Sequence, residues 1–192
     1  MKQLLLSILL FMPIFALSQN KKIEREKDIA LKEMPETAQR YIKNNLPENY
    51  RKLRCYYETD GQKESYEAKF KFDGNRYSVE FNQAGKLEDI EVVLKKKELD
   101  RNLLQKIEVY LSTRHDRFRI EKIQAQYLSG EKHTAKVLPG GINEHASPDN
   151  YELIVATKNQ GKIRKFEMLF DAEGNFVKER KVIRNSYDYL IF

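Results

Sequence analysis

The chain has 192 residues, a formal charge of +6, a mean hydropathy of −0.70, one cysteine and no tryptophan. That length holds one or two small domains. A single cysteine excludes an internal disulfide framework, so burial alone must hold the fold. The modest positive charge is spread along the chain, and its longest basic run is Lys95-Lys96-Lys97. It lacks the basic stripe of a nucleic-acid binder, and that class is excluded.

Residues 1–18 read as a secretory signal. Lys2 precedes an apolar run from Leu4 to Leu17, and Ala16-Leu17-Ser18 puts small residues where a signal peptidase reads. The run is shorter than the roughly 20 residues that span a bilayer. Cleavage before Gln19 removes Lys2 and no acid, lowering the charge by one. The expected protein is therefore periplasmic or secreted, with no membrane span after cleavage. Intact mass of material from a secreting host should begin at Gln19; a chain still carrying Met1 contradicts this.

Residues 19–33 form a charged leader. Organised sequence starts at Met34-Pro35, where Ala38, Tyr41, Ile42 and Leu46 follow at helical spacing until Pro47. Leu53, Cys55 and Tyr57 then alternate. So do Tyr66, Ala68, Phe70 and Phe72, against Glu67, Lys69 and Lys71, as in a half-buried antiparallel strand. Asp73-Gly74-Asn75 is a hairpin signal. Tyr77, Val79 and Phe81 alternate next, and Gln83-Ala84-Gly85 turns the chain into Leu87–Val93, whose phase slip predicts a bulge.

A similar order follows. Asp100 is placed to cap a helix carrying Leu103, Leu104, Ile107, Tyr110 and Leu111 on one stripe. Strands are predicted from Phe118 to Tyr127, with one phase slip, from Tyr151 to Thr157, through Phe166–Phe170, and from Phe176 to Ile183. Tyr77, Phe81, Gly85, Leu87 and Val93 match Phe166, Phe170, Gly174, Phe176 and Val182 at a constant offset. The expected fold is α+β: two helix-plus-four-stranded antiparallel sheet repeats, residues 34–97 and 98–184, with a helix on one face of each sheet. An insertion spans 128–150, and a tail spans 185–192.

The stretch Met34 to Ile42, the strand Tyr66–Phe72, Asp73-Gly74, the strand Tyr77–Phe81 and Gly85 resemble the PepSY-like, β-lactamase-inhibitor-like family of exported bacterial proteins. The resemblance is better over 34–93 than over 98–184. It implies a helix across an antiparallel sheet, often in tandem, a binding role without catalysis, and no catalytic residue to carry over.

The residues themselves offer no catalytic set. Cys55 alternates with Leu53 and Tyr57 and reads as a small buried hydrophobe. His115 falls at a helix end, where a cation suits the dipole. His133 and His145, with Glu131 and Glu144, lie in one loop without metal-ligand spacing, so no metal is assigned. Glu88, Asp89 and Glu91 cluster on one strand and could attract cations; the commoner reading is a solvated strand edge. No serine elbow or phosphate loop is present, and no cofactor is expected.

The function read from the sequence is an exported, non-catalytic protein-binding module, an inhibitor or modulator of an envelope or secreted enzyme. The alternative is a carrier of a small apolar or cationic ligand between helix and sheet. Two contact surfaces are expected. One is the insertion, with His133, Leu138 and His145. The other is the outward face of the first sheet, with Arg54, Tyr56, Glu67, Lys69, Lys71, Arg76, Ser78 and Glu80 exposed to solvent.

Overall fold

A computed structural model describes residues 21–22, 24–61, 63–129 and 147–183. Ten strands form one sheet: β1 (Lys21–Lys22), β2 (Glu24–Ile29), β3 (Arg51–Asp60), β4 (Lys63–Phe72), β5 (Asn75–Asn82), β6 (Leu87–Leu94), β7 (Arg117–Leu128), β8 (Asn150–Asn159), β9 (Lys162–Asp171) and β10 (Phe176–Val182). Two helices, α1 (Glu36–Asn45) and α2 (Arg101–Ser112), precede β3 and β7.

This corrects the expected fold class. The protein is mostly β, with a single antiparallel sheet and two short helices, and it does not consist of two helix-plus-four-strand repeats. The strand order is β1-β10-β9-β8-β7-β6-β5-β4-β3-β2. The decisive contact is β6 with β7, paired from Asp89↔Leu128 to Leu94↔Ile123. Separate sheets would leave both these strands with an unpaired edge. Pairing them satisfies those backbone groups and makes the core continuous. Ala125 and Tyr127 of β7 pack with Ala38, Ile42 and Phe81 of the first half. Leu94 and Tyr151 touch the buried groups of both halves.

Strands β1 and β2 lie at opposite ends of this order, yet only one residue separates them in the chain. The stretch 21–29 therefore serves both edges, and the strand order closes into a ring. Treated as one strand, it makes nine. An odd ring of alternating strands must contain one parallel pair, and that pair is β1 with β10, Lys21↔Lys181 and Lys22↔Val182. The charged stretch expected as a leader thus contributes strand, with Glu24–Ile29 antiparallel to β3.

Local signals explain the individual elements. Asp100 caps α2, its Oδ1 accepting from the backbone N–H of Asn102 at 2.9 Å and of Leu103 at 3.1 Å. Leu103, Ile107 and Leu111 of α2 are buried against Leu153, Val155, Met168 and Phe170. Glu88 is the extra residue of the β5–β6 bulge, between Glu80↔Asp89 and Phe81↔Leu87. Glu121 is the extra residue of the β7 slip. Gly85 has φ +75°, and an added Cβ would lie 2.3 Å from Thr37 Oγ1 and 2.6 Å from Pro35 Cβ. This turn fits under the start of α1 only without a side chain.

Candidate functional site

Strands β3 to β9 alternate between an apolar face, covered by α1 and α2, and a polar face. The polar face holds Arg54, Tyr56 and Glu58 of β3, Glu67, Lys69 and Lys71 of β4, and Arg76, Ser78 and Glu80 of β5. It continues through Asp89 and Glu91 of β6, Gln124 and Gln126 of β7, and Glu167 of β9. Solvated carboxylates were expected here. Instead Glu58, Glu67, Ser78, Asp89, Glu91, Gln124 and Glu167 are buried. The ring closure turns this face inward. Nor do Asp89 and Glu91 lie on an edge, because β6 is paired on both sides by β5 and β7.

Three regions share this face. At one end Arg51, Arg54, Lys71 and Arg76 are exposed. Arg51 is opposite Lys71, and Lys71 is opposite Arg76. Arg54 is opposite Lys69. Directly opposed side chains of like charge repel. Among the described residues no carboxylate forms an ion pair with Arg51, Arg54, Lys71 or Arg76. Tyr56 is half-buried beside them; the Lys69 ammonium sits 4.8 Å from its ring centroid. A hydrogen bond with Tyr56 is the first cause holding the Arg54 guanidinium above its ordinary pKa.

The middle region is neutralised. Lys69 Nζ lies 2.7 Å from Glu26 Oε1 and 2.7 Å from Glu67 Oε2. The Ser78 hydroxyl donates to Glu67. Burial pushes the Glu67 carboxyl up. A hydrogen bond with Glu58, the Lys69 charge and hydrogen bonds from Lys69 and Ser78 outweigh this and leave it below the carboxylate range. Of the sequence-derived contact residues, Arg54, Tyr56, Lys69, Lys71 and Arg76 are thus brought together. His133, Leu138 and His145 lie outside the described residues, as do the signal segment 1–18 and the tail 185–192.

The third region is acidic; its Asp89 and Glu91, read from the sequence as a solvated strand edge, are buried. Gln126 Nε2 donates to Asp89 Oδ2 at 2.9 Å, and the Gln124 amide donates to Glu91. Burial raises the Asp89 pKa to about 6, with Glu88 and Glu67 adding repulsion. Burial, then Glu152, Glu80 and Asp89, raises that of Glu91 well above its ordinary value. A signal was available: Glu80, Asp89 and Glu91 alternate on strands bounded by turns, with Gln124 and Gln126 one strand on.

The Asp89 shift sets a sign. Folded Asp89 keeps its proton up to about pH 6, whereas the unfolded chain loses it near the ordinary 3.8. Between these values the folded state binds more protons, so this residue's contribution to stability falls as pH rises. Asp89→Asn does not titrate. In chelator-treated protein its stability relative to the parent should rise from about pH 4 and level off above about pH 6. Urea denaturation at stepped pH measures this; a flat difference contradicts the shift.

The other candidates are structural. Cys55 is buried and free, and burial pushes its thiol up to about 11, away from nucleophilic use. His115 Nδ1 is 3.0 Å from Asn159 Nδ2, and its ring stacks on Phe166. The helix–sheet interfaces are filled by side chains of near-zero exposure, including Ala38, Ile42, Phe81, Ile107 and Leu111. Two clefts, of about 290 and 320 Å³, lie along α1 at Tyr41 and at the start of α2.

Comparison with known protein families finds no match, and comparison with curated proteins finds none. Solved structures do match. A Bacteroides ovatus DUF2874 family protein superimposes with TM-score 0.51 at 14% identity, over 82% of this chain and 93% of its own. A Bacteroides eggerthii protein, provisionally called periplasmic, gives 0.51 at 12% identity, over 81% and 93%. The chain shares their fold. A BLIP-like protein of Bacteroides fragilis gives 0.49 at 15% identity, over 81% and 92%. At such identities likeness reaches the fold and no further. Among the described residues no helix is long and apolar enough to cross a membrane.

Proposed function

We propose that the chain is an exported, non-catalytic protein-binding module that docks an acidic protein surface on the basic end of its polar face. The observation that carries this is the cross-strand cluster Arg51, Arg54, Lys71 and Arg76. These cations are exposed, directly opposed to one another or to Lys69, and without a carboxylate ion pair among the described residues. Such an arrangement costs stability in the free protein, and an acidic partner offsets that cost. Tyr56 adds a rigid aromatic surface with a polar tip.

The absence of catalysis in this reading is supported by the buried Cys55 thiol with its raised pKa. Export is supported by the signal-like residues 1–18. The resemblance to β-lactamase-inhibitor-like proteins implies an enzyme of the envelope or the exterior as the partner, which this chain inhibits or modulates. The carrier alternative has less support, since the helix–sheet interfaces are packed.

The test is capture from envelope extract with the mature chain, then titration of the recovered protein. Lys71→Glu with Arg76→Glu is expected to weaken binding at least tenfold, and Tyr56→Ala to weaken it less. Raising salt from 50 to 200 mM should weaken the parent complex, because exposed charges are screened. Equal binding by the charge-reversed protein, with unchanged circular dichroism, removes this surface from the contact.

A further inference from the structure

Two carboxylate clusters lie on the polar face, and they are neutralised differently. In the first, formed by Glu26, Glu58 and Glu67, the Lys69 ammonium pairs with Glu67 and Glu26, whose charges hold its pKa raised despite burial. In the second, Glu80, Asp89 and Glu91 bring one oxygen each to within 4.8 Å of one another. Glu80 and Asp89 are directly opposed across β5 and β6. No ammonium or guanidinium forms an ion pair with Asp89 or Glu91 among the described residues. Among the described residues, the cations that act on these two do so at a distance: Lys63 on Asp89, itself paired with Glu88 at 2.8 Å, and Lys122 on Glu91. Glu152 adds a further negative charge beside Glu91.

An independent observation concerns the free valence within this cluster. Asp89 is 8% exposed. Its Oδ2 is used by Gln126, but its buried Oδ1 has no hydrogen-bond partner among the described residues. A buried carboxylate oxygen without a donor is costly, and its natural complement is a cation. The other orphan oxygen of this face, Glu67 Oε2, has the Lys69 ammonium at 2.7 Å. Among the described residues Asp89 Oδ1 has no such counterpart.

We propose that Glu80, Asp89 and Glu91 hold a divalent cation, with calcium the best fit. All three ligands are carboxylate oxygens, the donor type of a hard cation. Calcium–oxygen bonds of about 2.3–2.6 Å let ligands on opposite sides stand roughly 4.6–5.2 Å apart, which accommodates the observed spread; magnesium, at about 2.0–2.1 Å, needs contraction. Half-buried Glu80 forms the mouth of the site, and the side-chain amides of Gln124 and Gln126 brace Glu91 and Asp89 from β7. The ion replaces mutual repulsion with shared attraction at the centre of the polar face, where β5, β6 and β7 meet. This site is separate from the basic end and does not depend on the docking proposal.

The test uses the mature chain, stripped with chelator and dialysed. Calorimetric titration with calcium chloride should show one site per chain, with Kd on the order of 10⁻⁴ M or below, toward the tighter side of extracellular calcium modules. Calcium should raise Tm above that in sodium chloride of equal ionic strength, and magnesium should raise it less. Asp89→Asn and, separately, Glu80→Gln should each weaken calcium at least tenfold. Glu173→Gln, an exposed acid elsewhere, should leave it unchanged. Glu80 is only half-buried, so its variant reports even if Asp89→Asn fails to fold. Absence of a calcium-specific heat and Tm shift in the parent overturns the proposal. So does undiminished calcium binding in a folded Glu80→Gln or Asp89→Asn protein.

Discussion

Replacing Phe81 with alanine should cost about 3–5 kcal/mol, the range for truncating a fully buried aromatic side chain. Phe81 is 0% exposed and lies on β5 directly beneath α1. Its ring meets Tyr41 of the helix edge-on, with centroids 5.6 Å apart. Truncation therefore removes both a large apolar contact and an aromatic pair between helix and sheet. The neighbours, Ala38, Val79 and Ile90, lie on hydrogen-bonded backbone and cannot collapse far into the void. For a protein of this size the loss should lower Tm by roughly 6–20 °C. Ile163, 75% exposed, is the matched control, and Ile163→Ala should stay within about 0.5 kcal/mol. Urea denaturation of the two variants checks both figures. A Phe81→Ala loss below about 1 kcal/mol would mean that α1 contributes little to holding the sheet.

Arg180→Met should be the costliest change on the polar face. Arg180 Nε donates to Glu167 Oε1 at 2.9 Å, and Nη2 donates to the same carboxylate. Its Nη1 donates to Asp60 Oδ2 at 2.7 Å. One side chain on β10 therefore links β9 and β3, on either side of the stretch 21–29 that closes the ring. Glu167 is 5% exposed, and methionine removes the guanidinium that neutralises it. Removing one partner of a buried pair costs about 3–5 kcal/mol. Arg180 retains 29% side-chain exposure, which screens the interaction and lowers the expectation to about 2–3 kcal/mol. The double variant Arg180→Met with Glu167→Leu should recover more than half of the loss, since an apolar pair carries no desolvation penalty. Chemical denaturation at pH 7 separates these outcomes. A single-variant loss under about 0.5 kcal/mol at pH 7 would show that the closure does not depend on this bridge.

Much of the local structure was legible in the residues. The stripe Leu103, Ile107, Leu111 and the cap Asp100 define α2, because helical periodicity and capping depend only on near neighbours. Alternation placed Phe70, Val79, Phe81 and Met168 on buried faces, and the phase slips at Leu87–Ile90 and Ile120–Ile123 located two bulges. The burial of Cys55 followed from the same period. The contact residues Arg54, Tyr56, Lys69, Lys71 and Arg76 were grouped for the same reason, since alternate residues of adjacent strands share a side of the sheet.

Alternation states which side of a strand a residue occupies, and it cannot state whether that side is wet. That depends on curvature, which many strands share. Glu67, Asp89 and Glu91 were therefore read as solvated, and only the ring closure through residues 21–29 shows them buried. The pairing of β6 with β7 was equally out of reach. It joins residues 29 to 39 positions apart, and its stabilisation comes from satisfying two strand edges at once and letting Ala125 and Tyr127 enter the first half's core. Local periods made the elements of this protein. Long-range edge pairing made them one sheet, and the closure of that sheet turned an ordinary polar face into a lined, charged interior.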